Sequence, residues 1–158
     1  MGATFEQTAA KLGGENTVRG VLATTCEELV TLLDATACAV SRVVGDLLVG
    51  LDEHTLSSRP LEHGHEYLIS DYPLTKEVVE SGEPKRMSRL DADADPKEAE
   101  LLERLGFDSL LMVCLPSDGE CWGLVEVYAE ARFDDGDAEL ARRLARLAGE
   151  RLAQLDAT

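Results

Sequence analysis

The stretch Ser109-Leu110-Leu111-Met112-Val113-Cys114-Leu115-Pro116-Ser117-Asp118-Gly119-Glu120-Cys121-Trp122-Gly123-Leu124-Val125-Glu126-Val127-Tyr128-Ala129 decides the fold. Ser109 to Leu115 is an unbroken apolar run of strand length, as a central strand requires. Ser117-Asp118-Gly119-Glu120 is a hairpin turn, and Cys121 to Ala129 is the returning strand. Side chains alternate along a strand, so Val125, Val127 and Ala129 share one face while Leu124, Glu126 and Tyr128 share the other.

Downstream, Phe133-Asp134-Asp135-Gly136-Asp137 leads into a final helix to about Leu155, which Asp134 or Asp135 can cap. Its apolar stripe is Leu140, Leu144, Leu147 or Ala148, and Leu155. Arg142, Arg143, Arg146 and Arg151 form a basic line, either a solvated face or a dock for an acidic partner surface. Upstream, Pro96 opens a helix that closes at Gly106, behind the acidic loop Asp91 to Asp95. Pro84 to Leu90 reads as a short edge strand, and Pro73 to about Ser81 as a short helix ended by Gly82. Glu53 to Tyr72 is polar and shows no assignable element. Ala37 to Val44 and Leu47 to Asp52 form a hairpin around Gly45-Asp46. A first helix runs from about Glu15 to Asp34, with a stripe of Val18, Leu22, Thr25, Leu29 and Leu32 and a second line of Val21, Val30 and Leu33. Residues 1–14 read as a loose arm and residues 15–156 as a single domain. Two hairpins imply an antiparallel sheet, with the helices of both chain ends on one face and the middle helices and loops over the other.

The chain has 158 residues, a one-domain length. Fifteen basic and 31 acidic side chains give 15 − 31 = −16, so phosphate backbones and anionic lipid are repelled, and neither nucleic acid nor membrane is an expected partner. No apolar run approaches the roughly 20 residues that span a bilayer. Met1 to Leu12 lacks the pattern of a secretory signal, and the expected location is cytoplasmic. Cys26, Cys38, Cys114 and Cys121 form no C-x-x-C pair and read as reduced, mostly buried thiols. Cys114 and Cys121 flank the closing hairpin and could approach each other across it.

The ordered set Gly106 to Pro116, Gly119, Trp122 to Tyr128 and Phe133 to Leu144 resembles the closing hairpin, aromatic-Gly step, acidic cap and terminal helix of a GAF domain. Leu74 to Pro84 resembles that family's short helix before its third strand, and the likeness spans roughly Thr17 to Leu155. PAS domains are the second resemblance. The GAF likeness implies an α+β fold with a five- to six-stranded antiparallel sheet in the order 47–52, 37–44, 121–129, 109–115, 84–90. It places the terminal helices on one face and short helices and loops over a ligand pocket on the other. It implies regulation rather than a reaction: a small molecule is bound and its presence relayed through the terminal helices. The receiver would be an output domain or partner such as a histidine kinase, diguanylate cyclase or phosphodiesterase. The alternative within the family is a ligand-free dimerisation module. The sequence carries no kinase histidine box and no Gly-Gly-Asp-Glu-Phe.

Alternation along the first strand is expected to put Ala37, Ala39 and Val43 under the helices and Cys38, Val40 and Arg42 toward the pocket. Arg42 is then the natural partner of a buried Glu126, as a structural pair or as polar anchors for a ligand. The candidate lining is Cys38, Arg42, Tyr72, Met87, Met112, Cys114, Glu126 and Tyr128. His63-Gly64-His65 with His54 is a metal-like cluster, although solvated loop histidines are the simpler reading and no metal is expected. Bilin-binding relatives carry a Cys-His step that is absent here. The Asn-Lys of cyclic-nucleotide-binding relatives is also absent, and only Phe133, Asp137 and Glu139 echo that set. Heme has no signature, so the cofactor stays open. Cys38, Cys114 and Cys121 do not match the local pattern of free methionine sulfoxide reductases, which leaves a thiol enzyme as the lesser alternative. The second line of the first helix, next to the last helix, predicts a homodimer through a parallel four-helix bundle.

Overall fold

The closing hairpin forms as read: β5 (Ser109–Ser117) pairs antiparallel with β6 (Glu120–Ala129), from Ser109 opposite Ala129 to Ser117 opposite Glu120. Its two turn residues, Asp118 and Gly119, have φ of 53° and 80°, the left-handed pair that a two-residue hairpin turn requires. A computed structural model describes residues 4–56, 61 and 66–156, with Glu66 described by its backbone alone.

The other strands are β1 (Ala37–Val44), β2 (Leu47–Thr55), β3 (Glu66–Leu68) and β4 (Lys85–Ser88). They form one antiparallel sheet in the order β3-β2-β1-β6-β5-β4. This is the expected order with β3 added at one edge, so part of the unassigned polar stretch is strand. The helices are α1 (Phe5–Gly14), α2 (Val18–Leu32), α3 (Pro73–Ser81), α4 (Pro96–Leu105) and α5 (Asp135–Asp156). Gly82 and Gly106, at φ of 74° and 87°, end α3 and α4 as expected. At the start of α5, Asp134 and Asp137 cap each other's backbone N–H groups at 2.8 and 2.9 Å. No helix among the described residues is long and apolar enough to cross a membrane.

Helices α2 and α5 cover one face of the sheet. Leu22, Cys26, Leu29, Leu144, Ala148 and Leu152 pack there on Leu111, Val113, Val125 and Val127. Gly149 lets α5 lie directly against β5, since a Cβ there would overlap the backbone carbonyl of Pro116. On the other face Ile69, Val78, Leu102 and Phe107 pack on Leu48, Leu110, Met112, Leu124 and Tyr128.

Two expectations change at this level. Residues 5–14 form a helix rather than a loose arm. A capping box between Thr4 and Gln7 starts it, and Thr8 and Leu12 are buried. Its inner face covers Glu28 of α2, which accepts from Thr8 Oγ1 at 3.1 Å and lies 3.0 Å from Lys11 Nζ. The second apolar line of α2 is also used within the chain. Val21, Val30 and Leu33 are 0%, 3% and 8% exposed, so these residues are not available to a second copy.

Candidate functional site

The site is built on β6, whose alternation sends Glu126 and Tyr128 to the face opposite α2 and α5. Tyr128 is flanked by Ala37 of β1 and Leu110 of β5. Glu126 is flanked in the same way by Ala39 and Met112. The two alanines leave room beside the larger side chains. The Phe107 ring stacks on Tyr128 with centroids 5.2 Å apart and planes 26° from parallel.

The roof over these residues is α3 and α4. Thr75 Oγ1 on α3 donates a short hydrogen bond to Glu98 Oε1 on α4, and lies 3.5 Å from Met112 Sδ. Glu98 is 1% exposed and Glu126 is 5% exposed. Among the described residues no Lys or Arg forms a salt bridge with either. Burial pushes the Glu126 carboxyl up to about 7, against which the Tyr128 hydrogen bond acts. Burial and then the charge of Glu126 push Glu98 up to about 7 as well. Both carboxyls therefore change charge near neutrality. Such groups accept N–H donors when ionised and donate O–H when protonated.

The sequence-derived lining divides between the two faces. Met87, Met112, Cys114, Glu126 and Tyr128 all lie on this one. Tyr72 caps α3 at its rim, half-buried, with its ring edge-on to Tyr67 at 5.9 Å. Cys38 and Arg42 do not belong, because the face assignment of β1 is reversed. Ala37, Ala39 and Val43 face the site, whereas Cys38 and Val40 lie under the helices. Cys38 is fully buried beside Cys26, and burial raises its thiol far above the ordinary value. Arg42 sits 4.5 Å over the Trp122 ring and donates to the carbonyls of Trp122 and Val43 at 2.6 and 2.8 Å. It does not pair with Glu126.

Glu98 and Thr75 were not among the candidates. A periodicity signal exists for both: Glu98 is four residues before Leu102 on one helical face, and Thr75 is three before the buried Val78. Cys114 and Cys121, expected as reduced thiols, are joined by a disulfide with Cα atoms 5.4 Å apart. His54 lies in β2, and His63 and His65 lie outside the described residues.

The sequence profile of the GAF domain matches residues 17–152. No curated protein matches the chain. Among solved structures, the phycoerythrobilin-bound GAF domain of a cyanobacterial phytochrome superposes with a TM-score of 0.83. It shares 17% identity, with 99% of this chain and 98% of that one covered. A far-red-absorbing dark state with bound biliverdin IXa superposes at 0.82 and 15% identity, over 96% and 98% of the two chains. The chromophore-binding domain of an unusual bacteriophytochrome from R. palustris superposes at 0.82 and 11% identity. That match covers 97% of this chain but 60% of that one, so this chain spans less than two thirds of its length. At these identities the likeness is one of fold.

Proposed function

This chain belongs to the GAF domain family, and on that premise we propose that it is a regulatory domain rather than a catalyst. It takes a small molecule at the Glu98–Glu126 face and relays occupancy through its terminal helices. The observation that carries this reading is the pair of buried carboxyls without a salt-bridge partner among the described residues. Burying such groups is costly unless something satisfies them, and a ligand rich in N–H donors, or cationic, supplies that. The solved structures of similar fold hold bilins. A bilin linked through a thiol does not fit the cysteines here. Cys26 and Cys38 are buried on the helix side and Cys114 and Cys121 are joined to each other, so the ligand of this reading is held without a covalent bond.

The relay has a physical route. Strand β6 carries Glu126 and Tyr128 on one face and Val125 and Val127, packed under α2 and α5, on the other. Helix α5 is tied to the N-terminal segment by Arg151, which donates to the Glu15 carbonyl at 2.8 Å, and by Arg143, 4.2 Å over the Phe5 ring. An output domain or partner beyond these helices completes the reading. A homodimer through the end helices would have to use residues other than Val21, Val30 and Leu33, and light scattering at high micromolar concentration tests it.

The deciding experiment is native mass spectrometry of protein taken from cells, with thermal-shift titration of any small molecule released on denaturation. The expected result is a bound small molecule whose affinity falls about tenfold or more in Glu126→Gln, the loss of a buried charge-assisted contact. Protein that carries nothing, and whose stability no amine or N-heterocycle raises, overturns the reading.

A further inference from the structure

The Cys114–Cys121 bond joins a core residue of β5 to a half-buried residue just after the hairpin turn. Both cysteines line a cavity of about 380 Å³ between the end of α3, the β5–β6 turn and the outer side of α5. Cys121 is half-buried and Cys114 is 8% exposed, so the sulfur on the turn side is the more accessible. The bridge closes a separation of seven residues inside a hairpin already held by its turn and ladder. Short loops gain least from closure, so stability alone is a weak reason for it.

Both sulfurs also have acceptors that suit the reduced state. Cys114 Sγ lies 3.2 Å from the Val78 carbonyl in the last turn of α3, and Cys121 Sγ lies 3.3 Å from the Gly123 carbonyl. On reduction the two sulfurs must separate, and these carbonyls are the nearest acceptors on either side for the new S–H groups. The cavity wall carries charge of both signs: Arg142 and Arg146 from α5, with Glu80, Glu83 and Glu120 opposite. Mixed charge suits a molecule bearing both carboxylate and ammonium.

We propose that this cavity is a thiol–disulfide exchange site for a small zwitterionic thiol of the cysteine or glutathione kind. The incoming thiol loses its proton and its thiolate attacks Cys121 Sγ. The Cys121–Cys114 bond breaks, and Cys114 leaves with the electron pair and takes up a proton. A mixed disulfide on Cys121 results. A second thiolate displaces Cys121, releasing the small-molecule disulfide and leaving two protein thiols, with two electrons and two protons gained by the protein. Cys114 shares the face of Glu126, but neither Glu98 nor Glu126 lines this cavity, and ligand binding at those carboxyls need not exist for exchange to occur.

The test uses the full chain in glutathione buffers of graded redox poise, quenched in acid, alkylated and mapped by peptide mass. The expected result is reversible opening of Cys114–Cys121, with glutathione on Cys121 and with Cys26 and Cys38 unmodified until the protein is denatured. Cys114→Ser should accumulate the Cys121 adduct, whereas Cys121→Ser should leave Cys114 largely free of it. Arg142→Ala with Arg146→Ala should slow exchange with glutathione about threefold while leaving exchange with 2-mercaptoethanol unchanged, as expected for exposed charges. A bond that resists excess glutathione in the folded protein, an adduct mapped to Cys114, or equal slowing with both thiols overturns the proposal.

Discussion

The Tyr128 hydroxyl donates to Glu126 Oε2 at 2.9 Å, two residues away on the same face of one strand. The bond crosses no element boundary, yet it sits where three layers meet: the sheet below, α3 and α4 above, and Phe107 stacked beside the ring. Because both groups are buried, the bond bears on the charge state of Glu126 and hence on stability, ligand choice and pH response.

Stability should fall as pH rises. Glu98 and Glu126 each hold a proton up to about 7 when folded, while an unfolded glutamate releases it near its ordinary 4.5. Between those values the folded chain binds more protons than the unfolded one, so the stabilisation is full below about pH 4.5 and lost through pH 7. The loss is on the order of 2–3 kcal/mol for one such group. Urea unfolding at pH 5 and pH 8 measures it. Glu126→Gln should match the parent at pH 5, exceed it at pH 8 and flatten the profile, and parallel profiles would refute the assignment.

Tyr128→Phe keeps the Phe107 stack but removes the donor to Glu126. Losing a hydrogen bond to the ionised form should push the Glu126 carboxyl further up. It should also cost about 1–2 kcal/mol at pH 8, with little cost at pH 5. Carboxyl-resolved NMR titration alongside the unfolding curves checks both effects, and an unchanged Glu126 titration would disprove the coupling.

Gly149→Ala and Gly13→Ala should have opposite signs. Both glycines are helical, and alanine alone would favour the helix by up to about 1 kcal/mol. A Cβ at Gly13 meets open space, whereas at Gly149 it meets the Pro116 backbone carbonyl, which cannot rotate aside. Gly149→Ala should therefore destabilise by about 2–3 kcal/mol, since overpacking outweighs propensity. Thermal unfolding of the two variants decides it.

Arg151→Ala with Arg143→Ala should loosen α1 and leave the sheet intact. The first arginine holds the Glu15 carbonyl and the second covers Phe5. Amide exchange in residues 5–16 should speed by about tenfold, the equivalent of one or two modest contacts. Exchange in β5 and β6 should stay unchanged, and uniform acceleration across the chain would show that the latch is not local.

Local signals carried most of the architecture. Period-two runs, the Asp118-Gly119 turn and the glycines after α3 and α4 act within a few residues, so their outcome is legible without knowing the fold. Helix α1 left one local trace, the Thr4-x-x-Gln7 capping box, but its polar surface and terminal glycines read as a loose arm. The strand order was available only through the resemblance to the GAF family that the ordered motifs carry. The extra edge strand, β3, is three residues long and lies in a polar stretch without alternation to reveal it.

What the sequence by itself determined is therefore most of the elements, α1 and β3 excepted, the closing hairpin and the presence of an acidic side chain within its returning strand. Only the tertiary structure decided which way β1 faces. Ala37, Cys38, Ala39 and Val40 are all small or apolar and all buried, so alternation offers no contrast between the two faces. The pairing of Ala39 with Glu126 sets the answer, places Arg42 against Trp122, and leaves Glu126 to Tyr128 and Glu98. Burial of Glu98 was likewise a tertiary outcome, because an acidic residue in the first turn of a helix is favoured by the helix dipole whether water or a core lies beside it.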